Sequence, residues 1–293
     1  MHLLDSVRTR FTCVPVVHEV SAGIASEYFT EVSTESKAFA LVTAGPGFTN
    51  VLTSIAQAWT ESRELLVIGG QVKSTDLAQG SVRQRGIQEI DGIAIATPVT
   101  KSSVRLTDPI AMSELANYVR QSWTGRPGPV AIEMCLDVQG APARPDLDDW
   151  PKDVTGSQAT VIQTQPTATD QDIAEIVSRL ESSCRPLVLL GGGVEVSRAQ
   201  SLIDEMEFLS IPVATTYNGS DRVDSRSSIY FGRPNTWGMR WANVLLQQAD
   251  LVVAVGTRLG LQQTGFNWQE FAPVGDVIQV DIDNAELEKG HPR

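Results

Sequence analysis

The chain has 293 residues with 35 acidic and 23 basic side chains, giving a formal charge of −12 and a pI near 4.7. Roughly 150 residues per domain predicts two domains, and 42% hydrophobic content lets each bury a core, which excludes a disordered chain. The acidic balance argues against nucleic acid or anionic lipid held by charge, and no apolar run approaches the about 18 residues of a membrane helix.

In chain order, residues 13–17 predict a first strand, followed by a helix that opens at His18-Glu19 and continues through Val20, Ile24 and Tyr28. Strand 39–42 runs into the turn Thr43-Ala44-Gly45-Pro46-Gly47-Phe48-Thr49-Asn50 and a helix with the apolar stripe Leu52, Ile55, Ala56, Trp59. Strand 65–68 precedes a polar loop. Asp108-Pro109 reads as a cap before a helix carrying Met112, Leu115, Val119 and Trp123, and strand 130–132 follows. The second half repeats the rhythm. Its strands are 187–190, 212–215, 251–255 and 277–282; its helices carry Ile173, Ile176, Val177 and Leu180, then Leu202, Ile203, Met206 and Leu209 after a capping-box pattern at Ser197, then Trp237, Trp241 and Leu245. Runs of Val, Ile and Leu without alternation are strands buried on both faces. The fold class is therefore α/β, with two doubly wound, mostly parallel sheet domains.

Residues 140–169 hold four prolines and many polar side chains without sustained apolar period, so 141–167 is a linker between domains 1–140 and 168–293. The first strand candidate comes so early that domain one is expected to lack an opening strand–helix unit. No signal peptide is evident at residues 1–10. Three widely spaced cysteines, Cys13, Cys135 and Cys184, form neither a CxxC pair nor a disulfide framework. Those beside strands are expected to be buried in a protein of the reducing cytoplasm.

Three features carry chemistry. Glu19 opens a helix, and it reads either as a helix-stabilising first-turn carboxylate or as a half-buried carboxylate at the carboxyl edge of a parallel sheet, where open α/β folds bind ligands. Burial there would raise its pKa and suit it to hold a proton. The Gly45-Pro46-Gly47 turn lets backbone approach a ligand, or makes a tight strand-to-helix bend. The segment Arg83-Gln84-Arg85-Gly86-Ile87-Gln88-Glu89-Ile90-Asp91, with Thr97 to Lys101 after it, reads alone as a solvated loop.

In this order and spacing, with Gly125-Arg126-Pro127-Gly128-Pro129-Val130 and Asp137-Val138-Gln139, the three resemble the pyrimidine-binding domain of thiamine-diphosphate-dependent enzymes, with the acetolactate synthase group nearest. Leu190-Gly191-Gly192-Gly193, Ala249-Asp250-Leu251, Gly256-Thr257-Arg258-Leu259 and Val280-Asp281-Ile282-Asp283 resemble the same family's Rossmann-like central domain. The resemblance implies that Glu19 is the catalytic glutamate, exchanging a proton with the cofactor's aminopyrimidine. It implies that Pro46, Gly47 and Asn50 form the turn packed on that ring, and that Gln88 approaches cofactor and substrate. The implied reaction is decarboxylation of a 2-oxo acid and transfer of its two-carbon unit to a second 2-oxo acid, as in branched-chain amino acid biosynthesis.

Two departures bear on this. Ile87 stands where acetolactate synthases often carry Phe, which puts the acceptor in doubt. Cys135-Leu136 departs from a proline-containing pattern. The resemblance also implies FAD in the central domain, although the Gly191 turn lacks the third fingerprint glycine, Val196 standing in its place. Magnesium and the diphosphate are implied to sit on a third domain whose Gly-Asp-Gly start is not found here. This chain is thus expected to hold no metal ligands, to be inactive alone, and to work in a homo-oligomer with a diphosphate-binding domain in another chain. Two alternatives stay open: another thiamine diphosphate enzyme (a 2-oxo acid decarboxylase or specialised carboligase), or a non-catalytic partner completing a split enzyme.

Overall fold

Short strands of Val, Ile and Leu need cover on both faces, and the chain supplies it by winding helices around two parallel sheets. The computed structural model describes residues 2–33, 35–142 and 168–292. The chain divides into two units, Met1–Gln163 and Thr164–Arg293. Beyond residue 142, the expected linker lies outside the described residues.

In the first unit the order is α1 (His2–Arg8), α2 (Glu19–Val32), β1 (Phe39–Val42), α3 (Pro46–Glu61), β2 (Leu65–Gln71), α4 (Gly92–Ala96), β3 (Ser102–Leu106), α5 (Met112–Gln121), β4 (Pro129–Cys135) and α6 (Leu136–Gln139). The sheet order is β1-β2-β4-β3, all parallel. Phe48, Val51, Ile55 and Ala58 of α3 are fully buried against it. This is a stripe rotated from the expected one: Leu52 and Ala56 lie at its margin and Trp59 is exposed. Phe48 is the anchor. Its ring lies so close to the backbone of β2 and α4 that a Cβ on Gly69 or Gly92 would come within 2.8 or 2.6 Å of it.

In the second unit α7 (Asp170–Ser182), β5 (Pro186–Leu190), α8 (Val196–Leu209), β6 (Val213–Thr215), α9 (Arg240–Gln248), β7 (Leu251–Val255), α10 (Leu261–Thr264), β8 (Asp276–Val280) and α11 (Asn284–Glu288) follow, with parallel order β6-β5-β7-β8. Leu187, Leu189, Val252 and Ala254 are fully buried in the two central strands.

Several local expectations are corrected. Residues 13–17 form no strand; Pro15 has no N–H for a ladder, and Val14, Val16 and Val17 stay exposed. An unexpected strand, β3, forms from the mixed run Ser102-Ser103-Val104-Arg105-Leu106, because an edge strand needs no apolar face on each side. The Asp108-Pro109 pair does not cap α5, whose cap is Ala111. Ser197 lies inside α8; the capping box belongs to Thr169 and Asp172 at α7. Trp237 precedes α9, its N–H donating to Asn235 Oδ1 in a turn. Ile173 and Val177 of α7 are exposed, as are Cys13 and Cys184; Cys135 is buried.

Truncating Phe48 removes the contact that joins α3, β2 and α4. Phe48→Ala is expected to cost about 3–5 kcal/mol, read as a lower urea midpoint for the amides of β1, β2 and α3 in hydrogen exchange.

Candidate functional site

The site is built where two helices begin. His18 caps α2 in an extended conformation, its Nδ1 accepting the Val20 N–H at 3.2 Å, and this makes Glu19 the first helical residue. Gly45 adopts φ +65°, ψ −119°, which a side chain would resist, and Pro46 then starts α3 with its φ already set. The two helices lie very close: a Cβ on Gly23 of α2 would fall 1.9 Å from Ser54 Oγ of α3. That approach carries Glu19 to the first turns of α3. Asn50 Nδ2 donates to Glu19 Oε2 at 3.0 Å, and a Cβ on Gly47 would sit 3.4 Å from Glu19 Oε1.

A second segment reaches the turn from the end of β2. A Cβ on Gly45 would meet the Gln88 carbonyl oxygen at 2.2 Å, so Gln88 backbone lies directly on Gly45. Gln88 is itself left-handed at φ +57°, a conformation costing a residue with a side chain roughly 1–2 kcal/mol. Glu89 holds the loop behind it, accepting the N–H groups of Ala78 (2.5 Å), Arg85 (2.9 Å) and Gly86 (3.0 Å). Burial pulls the Glu89 carboxyl upward, but those three donors and Arg105 hold it below the ordinary range.

Thus Glu19, Gly47 and Asn50 meet directly, Gln88 joins them at Gly45, and Pro46 stands exposed between. Sequence reasoning missed the roles of Glu89, Asp91, Arg105 and Glu133. A charged residue inside the apolar run of β4 was the available signal for the last.

The Glu19 carboxyl is half-exposed. The hydrogen bond from Asn50 and one from its own backbone hold it below the usual glutamate range, outweighing slight desolvation. This corrects the expectation of a raised pKa: both donors stabilise the anion, and this unit alone does not bury it.

The glycine run after β5 has a different character. A Cβ on Gly191 would lie 2.1 Å from the Gly256 carbonyl oxygen, and one on Gly192 would lie 2.9 Å from the Asn218 side chain. Gly193 donates its N–H to that same Gly256 oxygen at 2.9 Å. Buried Arg222 donates to the carbonyls of Gly192 and Val194. α8 then opens behind Glu195, a carboxylate where a phosphate would need a donor. These glycines are accounted for by loop packing.

Residues 1–95 match the family model for the N-terminal TPP binding domain of thiamine pyrophosphate enzymes, and residues 173–293 match that for the family's central domain. The chain belongs to the thiamine pyrophosphate enzyme family. Glu19, the 45–50 turn and Gln88 all fall in the family's N-terminal binding domain. The acetolactate synthase large subunit of Corynebacterium glutamicum is 34% identical over 96% of this chain and 43% of its own length. That of Cyanidium caldarium is 31% identical over 94% and 46%. The "Probable acetolactate synthase large subunit" of Methanocaldococcus jannaschii is 30% identical over 93% and 45%. The chain therefore spans somewhat less than half the length of these curated relatives.

A partly exposed carboxylate, an amide fixing one of its oxygens and a ledge of glycines fit the aminopyrimidine of thiamine diphosphate. The glycines of the Gly191 turn are explained by packing on Gly256 and Asn218, so they are not by themselves a signal for a flavin's pyrophosphate.

Because Asn50 stabilises the charged form, Asn50→Ala is expected to move the Glu19 pKa up toward the ordinary glutamate value in a carboxyl-carbon NMR titration. The depressed pKa adds stability above the unfolded glutamate value, and that stability is lost as pH falls through the folded one. The variant should therefore lose less stability on acidification than the parent.

Proposed function

We propose that Glu19 is the catalytic carboxyl of a thiamine-diphosphate-dependent carboligase of the acetolactate synthase type, with Pro46, Gly47, Asn50 and Gln88 binding the cofactor. The observation that carries this reading is the Asn50–Glu19 hydrogen bond at the mouth of the Gly45–Gly47 turn. When bound, thiamine diphosphate supplies the carbon nucleophile and electron sink for decarboxylating a 2-oxo acid and passing its two-carbon unit to another.

The chain's own residues do the positioning and the proton work. Glu19 accepts and returns a proton at its carboxyl, while Asn50 fixes the orientation of Oε2. Gly45 lets the Gln88 backbone pack directly on the turn and Gly47 lets the turn pack on Thr43 beside Glu19, which fixes the backbone surface that a flat ring would lie against. Gln88 presents an exposed amide beside that ledge. A heterocycle and a neighbouring domain laid over Glu19 would strip its water and drive its pKa upward, toward the range where it exchanges protons near neutral pH.

We place the diphosphate and its Mg2+ in a further domain carried by another chain, and this chain itself in a homo-oligomer. The greater length of the relatives supports the further domain. So does the exposed apolar run of Phe11, Val14, Val16 and Val17 that leads into the His18 cap, a surface suited to being covered. Three free cysteines fit a reducing cytoplasm. No described helix is long and apolar enough to cross a membrane. No step is assigned to a flavin.

A second reading, a decarboxylase or a carboligase with another acceptor, is favoured by Ile87. It is 87% exposed next to Gln88 and offers the site an aliphatic surface where the acetolactate synthase group often has an aromatic one.

Titration of the chain with thiamine diphosphate and Mg2+ is expected to show no tight binding, and nanomolar affinity would overturn the need for a second domain. With a diphosphate-binding domain supplied, CO2 release from pyruvate is expected, and Glu19→Gln should lower it by about 100-fold or more. The product, acetolactate or another ketol or aldehyde, separates the two readings. Equilibration with FAD should leave the chain colourless after gel filtration; a stoichiometrically yellow chain would give the central unit a flavin site.

A further inference from the structure

The strained Gln88 is flanked by two anchors, and the second is hidden under the sheet. Immediately after Glu89, the Ile90 carbonyl accepts from Gln71 Nε2 at 3.0 Å, and Asp91 Oδ1 accepts from Arg105 Nη2 at 2.7 Å. Both donors also converge on one atom. Glu133 Oε2 takes Arg105 Nε at 2.8 Å and Gln71 Nε2 at 3.3 Å. Arg105 and Glu133 are register partners on β3 and β4, and Gln71 ends β2, so three adjacent strands contribute one residue each.

Glu133 is fully buried in a strand otherwise made of Pro, Val, Ala, Ile, Met and Cys. An apolar residue there would avoid the cost of desolvating a carboxylate, so packing of the sheet does not explain it. Its other oxygen, Oε1, has no hydrogen-bond partner and faces the start of α4, where a Cβ on Gly92 would lie 2.3 Å away. The carboxylate thus touches the loop's exit on one side and orients Arg105 toward Asp91 on the other. Asp91 in turn caps α4 through the Ala94 N–H at 3.1 Å. Arg105 is the one side chain here that bonds both the buried carboxylate and the loop's own carboxylate.

We propose that Arg105 is a positioning residue that, locked by buried Glu133, holds Asp91 and so fixes Gln88 against Gly45. Its planar guanidinium makes the two contacts from two different nitrogens at fixed angles, which a lysine ammonium cannot reproduce. The mechanical part stands on this structure alone; the consequence for turnover rests on the reading of Gln88 given above.

Hydrogen exchange on the full chain tests it. In Arg105→Lys, the Arg85, Gly86 and Glu89 amides are expected to exchange about tenfold faster or more, while those of β1 and α3 keep their rates. Asp91→Asn retains a capping side chain for α4 but loses the ion pair, and should loosen the same three amides without unfolding anything. Unchanged loop amides in both variants overturn the proposal. A uniform rise across the whole unit also overturns it, since Arg105 would then serve sheet stability only. In the enzyme completed with a diphosphate-binding domain, Arg105→Lys is expected to weaken thiamine diphosphate binding and to lower kcat by about tenfold or more with Tm unchanged. Faster loop exchange with cofactor affinity and kcat both unaltered leaves the anchor standing and removes Gln88 from the proposed cofactor-binding role.

Discussion

The hydrogen bond between Asn50 and Glu19 joins two helices that begin at the same edge of the sheet, and each is there for its own local reason. α2 starts at residue 19 because His18 is an extended cap. α3 starts at residue 46 because Gly45 takes a backbone angle that only glycine adopts freely and Pro46 continues it. Neither start would matter without the near-contact of Gly23 and Ser54, which sets the helix separation. A larger residue at 23 would push α2 away and break the carboxylate's only side-chain partner among the described residues, leaving both helices intact and the site gone. The geometry is therefore held by a steric constraint about 6 Å along the helix from the chemistry, roughly one turn of α2.

Glycines in this chain divide by what lies against them. Gly45 and Gly47 border the carboxylate and the Gln88 backbone, while Gly191, Gly192 and Gly193 are filled from the far side by Gly256 and Asn218. Both runs read alike as letters. In both, protein fills the space a side chain would take; the difference is what stands beside the packed turn, the Glu19 carboxylate at Gly47 and only loop backbone and Asn218 at the second run, and that depends on residues distant in sequence. The same holds for charge. Glu19 is half-exposed with its anion stabilised, whereas Glu133 is buried, and burial pushes its carboxyl upward against the pull of Arg105 and Gln71.

Much of the architecture was legible because it rests on local signals. Apolar runs marked seven of the eight strands, and strong helical periodicity marked the longer helices between them, while the short α4 and α10 were not read. The failures share a cause. β3 is only partly apolar because it is an edge, residues 13–17 are apolar yet unpaired because Pro15 interrupts any ladder, and the α3 stripe shifted because Phe48, outside the counted repeat, sets the helix rotation. Each depends on a neighbour that the local pattern does not name. For the site, the resemblance supplied five positions that do converge on one turn. The hub of Gln71, Arg105 and Glu133 was invisible because its members lie on three strands and are brought together only by register.

The lowered pKa of Glu19 looks at first unfavourable for proton exchange near neutral pH. It follows from the donors this chain supplies: an amide and a backbone N–H, each favouring the anion, with almost no burial to oppose them. Of these contributions, only desolvation can change greatly when another surface arrives, because the hydrogen bonds are already made. Docking a ring and an apolar wall over the carboxyl would leave Asn50 in place as an orienting group and shift the balance toward the protonated form. In that arrangement proton exchange is coupled to assembly of the site. Under the proposed function, an uncovered Glu19 would stay charged, and the same residue would become a proton carrier only when what covers it is present.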